Sequence, residues 1–203
     1  MSRALLSFLV EEGRRYGRRV AEPVDALQRL VAHDEIRLLA SRYAVAVDSR
    51  DLHALVALFV DDVRVGRGTT GHAALRASFE ASLGAVGVTI LQVGTHAIDL
   101  QDADHATGTV YCTGEVADGD RWIRQAIAYR DSYRRTAGGW RFVRRVHELW
   151  YGQAIDPNPL DQAPADWPER PDGRGTLPES WPTWSAFWSP EEGPDDGPVT
   201  TGG

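Results

Sequence analysis

Apolar residues recur at helical intervals along the first half of the chain. Over 34–48 they stand three to four positions apart behind Asp34, an N-cap residue type, which predicts an amphipathic helix that ends at Asp48. A second helix capped by Asp51 is predicted next, followed by a short strand at 63–65 and a third helix closed by Gly84. The apolar faces of the three helices comprise Ile36, Leu39, Tyr43 and Val47; Leu52, Leu55, Val56 and Phe59; and Leu75, Phe79 and Leu83.

The pattern changes to that of strands in the second half. The stretches 86–100, 106–116, 121–135 and 139–151 are strand-like, and the segments between them are short and rich in turn residues. This spacing predicts a four-strand antiparallel meander. Helices followed by a meander give an α+β fold, in which the helices lie on one face of a curved sheet and enclose a cavity.

The composition changes again after Gly152. Ten of the eleven prolines and four of the seven tryptophans lie beyond it. Because proline opposes regular structure, we predict an N-terminal arm at 1–30, a folded domain at 31–152 and a tail at 153–203 that this domain does not need in order to fold. Four aromatic residues of the tail are expected to form a turn that packs on another surface: Trp181, Trp184, Phe187 and Trp188.

Charge and cysteine content exclude several classes of function. The net charge of -7 argues against a nucleic-acid partner, and the basic run at 14–19 is interpreted as a solvated helix face. A lone cysteine, Cys112, excludes an internal disulfide and a cysteine zinc site, and the six histidines lack metal-binding spacing, so no metal or cofactor is expected. With no convincing signal peptide and no stretch of membrane-spanning length, we expect a cytoplasmic protein.

The strand 91–100 carries the histidine that the pattern makes most informative. Regular alternation would place Gln92 and His96 on the same face. An imidazole in such a strand is either a buried residue bonded to a backbone carbonyl or a general base in a pocket. The local sequence leaves both interpretations open.

Four segments together indicate a family. They are the helix 34–48 with its ending Tyr-Ala-Val-Ala-Val-Asp, the run Leu-Phe-Val-Asp-Asp-Val at 58–63, Gly94-Thr95, and the run 129–135 followed by Gly-Trp-Arg-Phe at 139–142. The chain resembles SnoaL-like proteins of the nuclear-transport-factor-two-like superfamily, which also includes scytalone dehydratase, ketosteroid isomerase and hexachlorocyclohexane dehydrochlorinase. The resemblance implies a cone-shaped α+β barrel.

The resemblance also implies roles for individual residues. Asp48 falls on an aspartate that pairs with a strand histidine in the dehydratase and dehydrochlorinase branches, but Gln92 or Leu91 stands in that histidine's place. We expect His96 to serve as the base instead, with Asp48 orienting its ring. Arg145 falls on an arginine that would stabilise an anion. The residues expected to bind substrate are Tyr43, Gln92, Tyr129, Asp131 and His147.

Two functions of different classes follow. The first is a cofactor-independent lyase, isomerase or cyclase that acts on a small, largely apolar metabolite, such as a polyketide or steroid-like intermediate of secondary metabolism. The second is a non-catalytic module of the same fold that binds a ligand or dimerises. An Asp48–His96 hydrogen bond in an open cavity would favour the enzyme, and a cavity filled by side chains would favour the module. In either case we expect a homodimer formed through the outer face of the sheet.

Overall fold

In the described part of the chain, three helices precede the main sheet. The computed structural model describes residues 25–189, so most of the predicted arm, its basic run and the last residues of the tail lie outside the described part. Helix α1 spans Ala26–Asp48, α2 spans Leu52–Ala57 and α3 spans His72–Gly84. The predicted cap is confirmed for α2, where the Asp51 carboxylate accepts a hydrogen bond from the Ala54 N–H at 2.9 Å.

The predicted start of α1 at Asp34 is wrong. The helix begins at Ala26, and Asp34 lies well inside it. After Pro23 the sequence contains neither proline nor glycine before Asp34, so nothing interrupts a run of good helix formers. The predicted arm at 1–30 therefore overlaps the first turns of α1.

The predicted meander is confirmed. Strands β3 (Thr89–Leu100), β4 (His105–Asp118), β5 (Arg121–Thr136) and β6 (Gly139–Ile155) pair antiparallel in chain order. Strands β1 (Arg64–Val65) and β2 (Thr69–Thr70) form a separate two-strand antiparallel ribbon. Only β1 was predicted from the sequence. Strand β6 continues past Gly152, so the predicted domain boundary falls inside a strand.

The core lies between the helices and the inner face of the sheet. Its largest cluster joins α1, the α2 region and the end of the meander, and its most buried members include Ile36, Tyr133, Trp140 and Phe142. This α+β arrangement is the predicted one. None of the helices described over 25–189 combines the length and apolar character needed to cross a bilayer.

A β-bulge in β3 reverses the predicted orientation of part of that strand. Val93 pairs with Cys112 and His96 pairs with Val110, so Gly94 and Thr95 together oppose Tyr111. The extra residue shifts the alternation by one, and His96 shares the inner face with Leu91 and Val93. Gln92 is exposed on the outer face. Its predicted place beside His96 is therefore wrong, and its role in binding substrate stays a prediction that this position does not favour.

The segment after β6 packs on the domain. A short helix, α4, spans Pro182–Trp188, and its Trp184 is buried against Val88, Ala117 and Trp122. The Thr183 hydroxyl donates a hydrogen bond to the Ser49 carbonyl at 2.8 Å. The predicted aromatic turn thus takes the form of a helical turn, which covers the loop between α1 and α2.

Truncation tests how much this docking contributes. We expect a chain ending at Asp156 to fold but to lose about 3 kcal/mol of unfolding free energy, because Trp184 no longer covers its apolar neighbours. A chain ending at Ser189 should match the full-length protein in urea denaturation. An Asp156 truncation that is as stable as the full chain would show that the docking contributes nothing, and one that cannot fold would contradict the predicted domain.

Candidate functional site

Asp48, the last residue of α1, is bonded to the start of β3. Its Oδ1 accepts a hydrogen bond from the Thr89 hydroxyl and its Oδ2 accepts one from the Leu91 N–H, both at 2.9 Å. Burial raises the pKa of Asp48 to about 6, although both hydrogen bonds and the nearby charge of Arg50 act in the opposite direction. The carboxyl group therefore titrates close to neutral pH.

His96 belongs to a different polar chain. Its Nε2 lies 3.0 Å from the Tyr133 hydroxyl, which donates its proton to Asp131 Oδ2 at 2.8 Å. The hydroxyl has only that one proton, so Nε2 carries the imidazole hydrogen and donates it to the tyrosine oxygen. Nδ1 is buried without a partner among the described residues. Burial lowers the pKa of His96 to about 4, partly opposed by the charge of Asp131.

A buried ion pair lies at the end of this chain. Asp131 on β5 and Arg145 on β6 are opposite each other in register, and two hydrogen bonds of 2.9 and 2.7 Å join them. Their side chains are 0% and 5% exposed. The guanidinium carbon lies 4.3 to 4.4 Å from the ring centroids of Tyr43, Tyr129 and Phe142. Two donors of Arg145 are thus already bound to a carboxylate, and aromatic rings surround its charge.

The predicted Asp48–His96 pair is not formed. The Asp48 carboxylate is bonded to the N–H of Leu91, and His96 lies five residues farther along β3, which is roughly 15 Å at strand spacing. The strand runs antiparallel to α1, so His96 lies near Arg37 instead of the end of the helix. The prediction failed because counting along the strand gives the face of a residue but not the point at which the helix crosses that strand.

Several other predicted residues do come together on the inner face. The rings of Tyr43 and Tyr129 are 5.9 Å apart, edge to face. His147 pairs with Tyr129 in register, with ring centroids 5.5 Å apart, and is exposed. Tyr43, Tyr129, Asp131, Arg145 and His147 together form an aromatic and polar wall, and this wall opens to solvent at His147. Their roles toward a substrate remain predictions.

Side chains fill much of the space between Asp48 and this wall. Leu91 projects inward and packs with Tyr43 in the apolar clusters of the interior. A groove of about 650 Å³ instead runs along the first turns of α1, beside Leu30, His33 and Arg37. Over 25–189 no three residues of metal-ligating type are grouped as a metal site would require.

The sequence model of the SnoaL-like domain family matches residues 28–146, more than half of the chain. The chain belongs to the SnoaL-like domain family. This confirms the resemblance inferred from the sequence, and the described architecture is the cone-shaped α+β fold of the nuclear-transport-factor-two-like superfamily. No curated protein matches the chain in sequence.

Solved structures with similar folds include enzymes. A hexachlorocyclohexane dehydrochlorinase from Novosphingobium barchaimii is 20% identical with a TM-score of 0.59, over 66% of this chain and 97% of that one. A protein of Novosphingobium aromaticivorans provisionally named scytalone dehydratase is also 20% identical, with a TM-score of 0.57, over 66% and 94%. An NTF2-like protein with a cystatin-like fold from the same species is 29% identical with a TM-score of 0.51, over 63% and 87%.

Sequence reasoning missed two residues beside Asp48 in this SnoaL-like domain, Arg50 and Thr89. Both are held there by tertiary packing that no local pattern encodes. Trp184 was expected to pack on another surface, but the sequence did not indicate that this surface lies at Arg50. Strand parity placed Tyr133 on the face of Asp131, although not as a partner of His96.

The raised pKa of Asp48 predicts a stabilising substitution. Ionisation of Asp48 costs free energy in the folded state, and this cost grows as the pH rises from about 4 to about 6. At pH 7 we expect Asp48→Asn to raise the unfolding free energy by about 1 to 3 kcal/mol, and the difference should shrink toward zero at pH 4. The amide can still accept a hydrogen bond from Leu91 N–H and can donate one to Thr89.

Denaturation curves at both pH values provide the measurement. Asp99→Asn, at an exposed carboxyl group on the same strand, is the matched control and should change little at either pH. A destabilised Asp48→Asn at pH 7 would contradict the cost that we assign to the ionised carboxylate.

Proposed function

We propose that the protein is a cofactor-independent lyase, isomerase or cyclase that carries out dehydratase-like acid/base chemistry on a small, largely apolar metabolite, such as a polyketide or steroid-like intermediate. The observation that carries this proposal is the half-buried carboxylate of Asp48, whose pKa of about 6 suits proton transfer near neutral pH. Solved relatives of similar fold bear the names dehydratase and dehydrochlorinase, which supports the same reaction class.

Asp48 is a better general base than His96. A base becomes stronger as the pKa of its conjugate acid rises, and that pKa is about 6 for Asp48 but about 4 for His96. Asp48 would take a proton from carbon and return it to the product or to a leaving group. His96, through Tyr133 and Asp131, would orient Arg145 and the wall around it.

The wall would bind the substrate. Burial raises the pKa of Tyr43 and of Tyr129, so both hydroxyls stay protonated and can donate hydrogen bonds to a substrate oxygen that gains negative charge. Arg145 lies against both rings, but Asp131 already neutralises its charge, so the two tyrosine hydroxyls are the donors assigned to the substrate. The aromatic lining suits a ring-bearing, largely apolar molecule, and His147 would contact it from the open side.

A second candidate is a non-catalytic module that binds a ligand or a partner. It is favoured by both outcomes named for it from the sequence: the Asp48–His96 hydrogen bond is not formed, and side chains that include Leu91 fill much of the space between Asp48 and the wall. The pairing of Arg145 with Asp131 favours it as well. In such a module the polar residues would serve packing and specificity only. Binding without turnover would distinguish it from the enzyme.

Exposed apolar residues on the outer sheet face support the predicted homodimer. Tyr111 and Trp150 contact each other edge to face at 4.9 Å and are 43% and 64% exposed. Ile90 and Tyr151 are two further exposed apolar residues of the sheet. Association through this face would bury it. The homodimer and the cytoplasmic location remain predictions.

Proton exchange at carbon tests the enzyme without knowledge of the natural substrate. A bicyclic aromatic ketone such as 1-tetralone is incubated with full-length protein in D₂O, and loss of the proton next to the carbonyl is followed by NMR. We expect the protein to accelerate exchange and Asp48→Asn to slow the catalysed rate at least ~100-fold, because general-base catalysis is lost. His53→Gln and His105→Gln, two exposed histidines, serve as controls.

Three results would contradict the proposal. Equal exchange by Asp48→Asn and wild type would remove Asp48 from the reaction. Loss of exchange in His96→Gln alone would move the base to His96. Ligand-induced shifts in the protein spectrum without any exchange would favour the binding module.

A further inference from the structure

Arg50 is a buried cation that contacts no carboxylate of residues 25–189 directly. It is 2% exposed, and its guanidinium donates to the Val47 carbonyl at 2.6 Å, to the Gly87 carbonyl and to the Thr89 hydroxyl at 2.9 Å. These acceptors are all neutral. An unpaired charge is costly to bury, and the carboxylate of Asp48, one hydroxyl group away, offsets part of that cost when it is ionised.

The backbone of Arg50 adds to this cost. Its φ is +59°, in the left-handed region that side chains other than glycine rarely adopt. The turn after α1 holds it there, with Arg50 N–H bonded to the Val47 carbonyl and Asp51 N–H bonded to the Ala46 carbonyl. Glycine would adopt this turn without strain, so the backbone gives no reason for an arginine here. The contribution of Arg50 therefore lies in its side chain.

Thr89 connects Arg50 to Asp48. A guanidinium can only donate hydrogen bonds, so the Thr89 oxygen accepts from Arg50 Nη1, and its own proton is free for Asp48 Oδ1 at 2.9 Å. The cation and the carboxylate are thus joined through one hydroxyl group. Hydrogen bonds in such a chain polarise one another, which favours the ionised carboxylate.

The C-terminal segment closes this arrangement from outside. The guanidinium carbon of Arg50 lies 4.7 Å from the Trp184 ring centroid and 5.9 Å from that of Phe187. Trp184 is itself buried, and α4 carries no charged residue. Aromatic faces therefore replace water over the cation, and the lower dielectric strengthens its effect on Asp48.

We propose that Arg50, Thr89 and Trp184 are positioning residues that orient Asp48 and offset part of the cost that burial places on its ionised form, which makes the C-terminal segment part of the site. The groups that face Asp48 are few: Arg50 from the turn, the Thr89 hydroxyl and Leu91 N–H from β3, and the Cys112 thiol from β4. We call the hydrogen-bonded chain from Arg50 through the Thr89 hydroxyl to Asp48 the relay. The importance of this relay for turnover rests on the proposed function. Its effect on the Asp48 carboxyl does not.

The test is a titration of the Asp48 carboxyl by ¹³C NMR in full-length variants. Thr89→Val removes the relay and should raise the pKa of Asp48 by about one, whereas Thr89→Ser, which keeps the hydroxyl, should leave it within about 0.3. Arg50→Gln should also raise it by about one, and the Arg50→Gln/Thr89→Val double variant should shift it by less than the sum of the two single changes. The serine and valine variants keep the test valid if Arg50→Gln does not fold.

Trp184 requires its own comparison. Trp184→Leu keeps an apolar cover but removes the ring face from Arg50, so the pKa of Asp48 should rise by about 0.5. Trp167→Leu, at an exposed ring elsewhere in the C-terminal segment, should leave it unchanged. An unchanged pKa in Trp184→Leu would remove the tail from the site, and equal shifts in Thr89→Val and Thr89→Ser would overturn the relay. If the pKa of Asp48 shifts as expected in these variants but the protein shows no proton exchange, the relay is supported and only the proposed function is contradicted.

Discussion

The bond between Asp48 and the first residues of β3 fixes how the helical layer lies on the sheet. It joins the C-terminal end of α1 to Thr89 and Leu91, so the strand must run back along the helix toward Arg37. That crossing separates the polar residues of the interior into two centres. One surrounds Asp48 and the other surrounds the Asp131–Arg145 pair, with His96 at its edge.

The two centres differ in what they can still do chemically. Asp131 and Arg145 neutralise each other in a buried, aromatic environment, where a charge without its partner would be costly. The pair therefore contributes first to the stability of the fold. Among the described residues, Asp48 accepts hydrogen bonds from neutral donors, and Arg50 reaches it only through the hydroxyl of Thr89. Its carboxylate therefore keeps basicity that a direct ion pair would remove. The proposed assignment of the base to Asp48 follows from this contrast.

The order of the elements could be predicted from the sequence because it depends on local periodicity and turn residues. The four-strand meander and the cap at Asp51 rest on such patterns, and so does the shared face of Tyr129 and Asp131 within one strand. The bulge at Gly94–Thr95 could not be predicted in this way, and it reversed the expected face of Gln92. The positions of Arg50 and Trp184 depend on contacts between residues far apart in sequence, and the local pattern of a single sequence does not reveal such contacts.

The most direct measurement is the titration of the Asp48 carboxyl in the unmodified protein, followed by site-resolved ¹³C NMR from pH 3 to pH 9. Our account predicts a single transition with a midpoint near 6. A midpoint at or below the ordinary aspartate value of about 4 would contradict it, because such a carboxylate would be too weak a base at neutral pH for the chemistry proposed here.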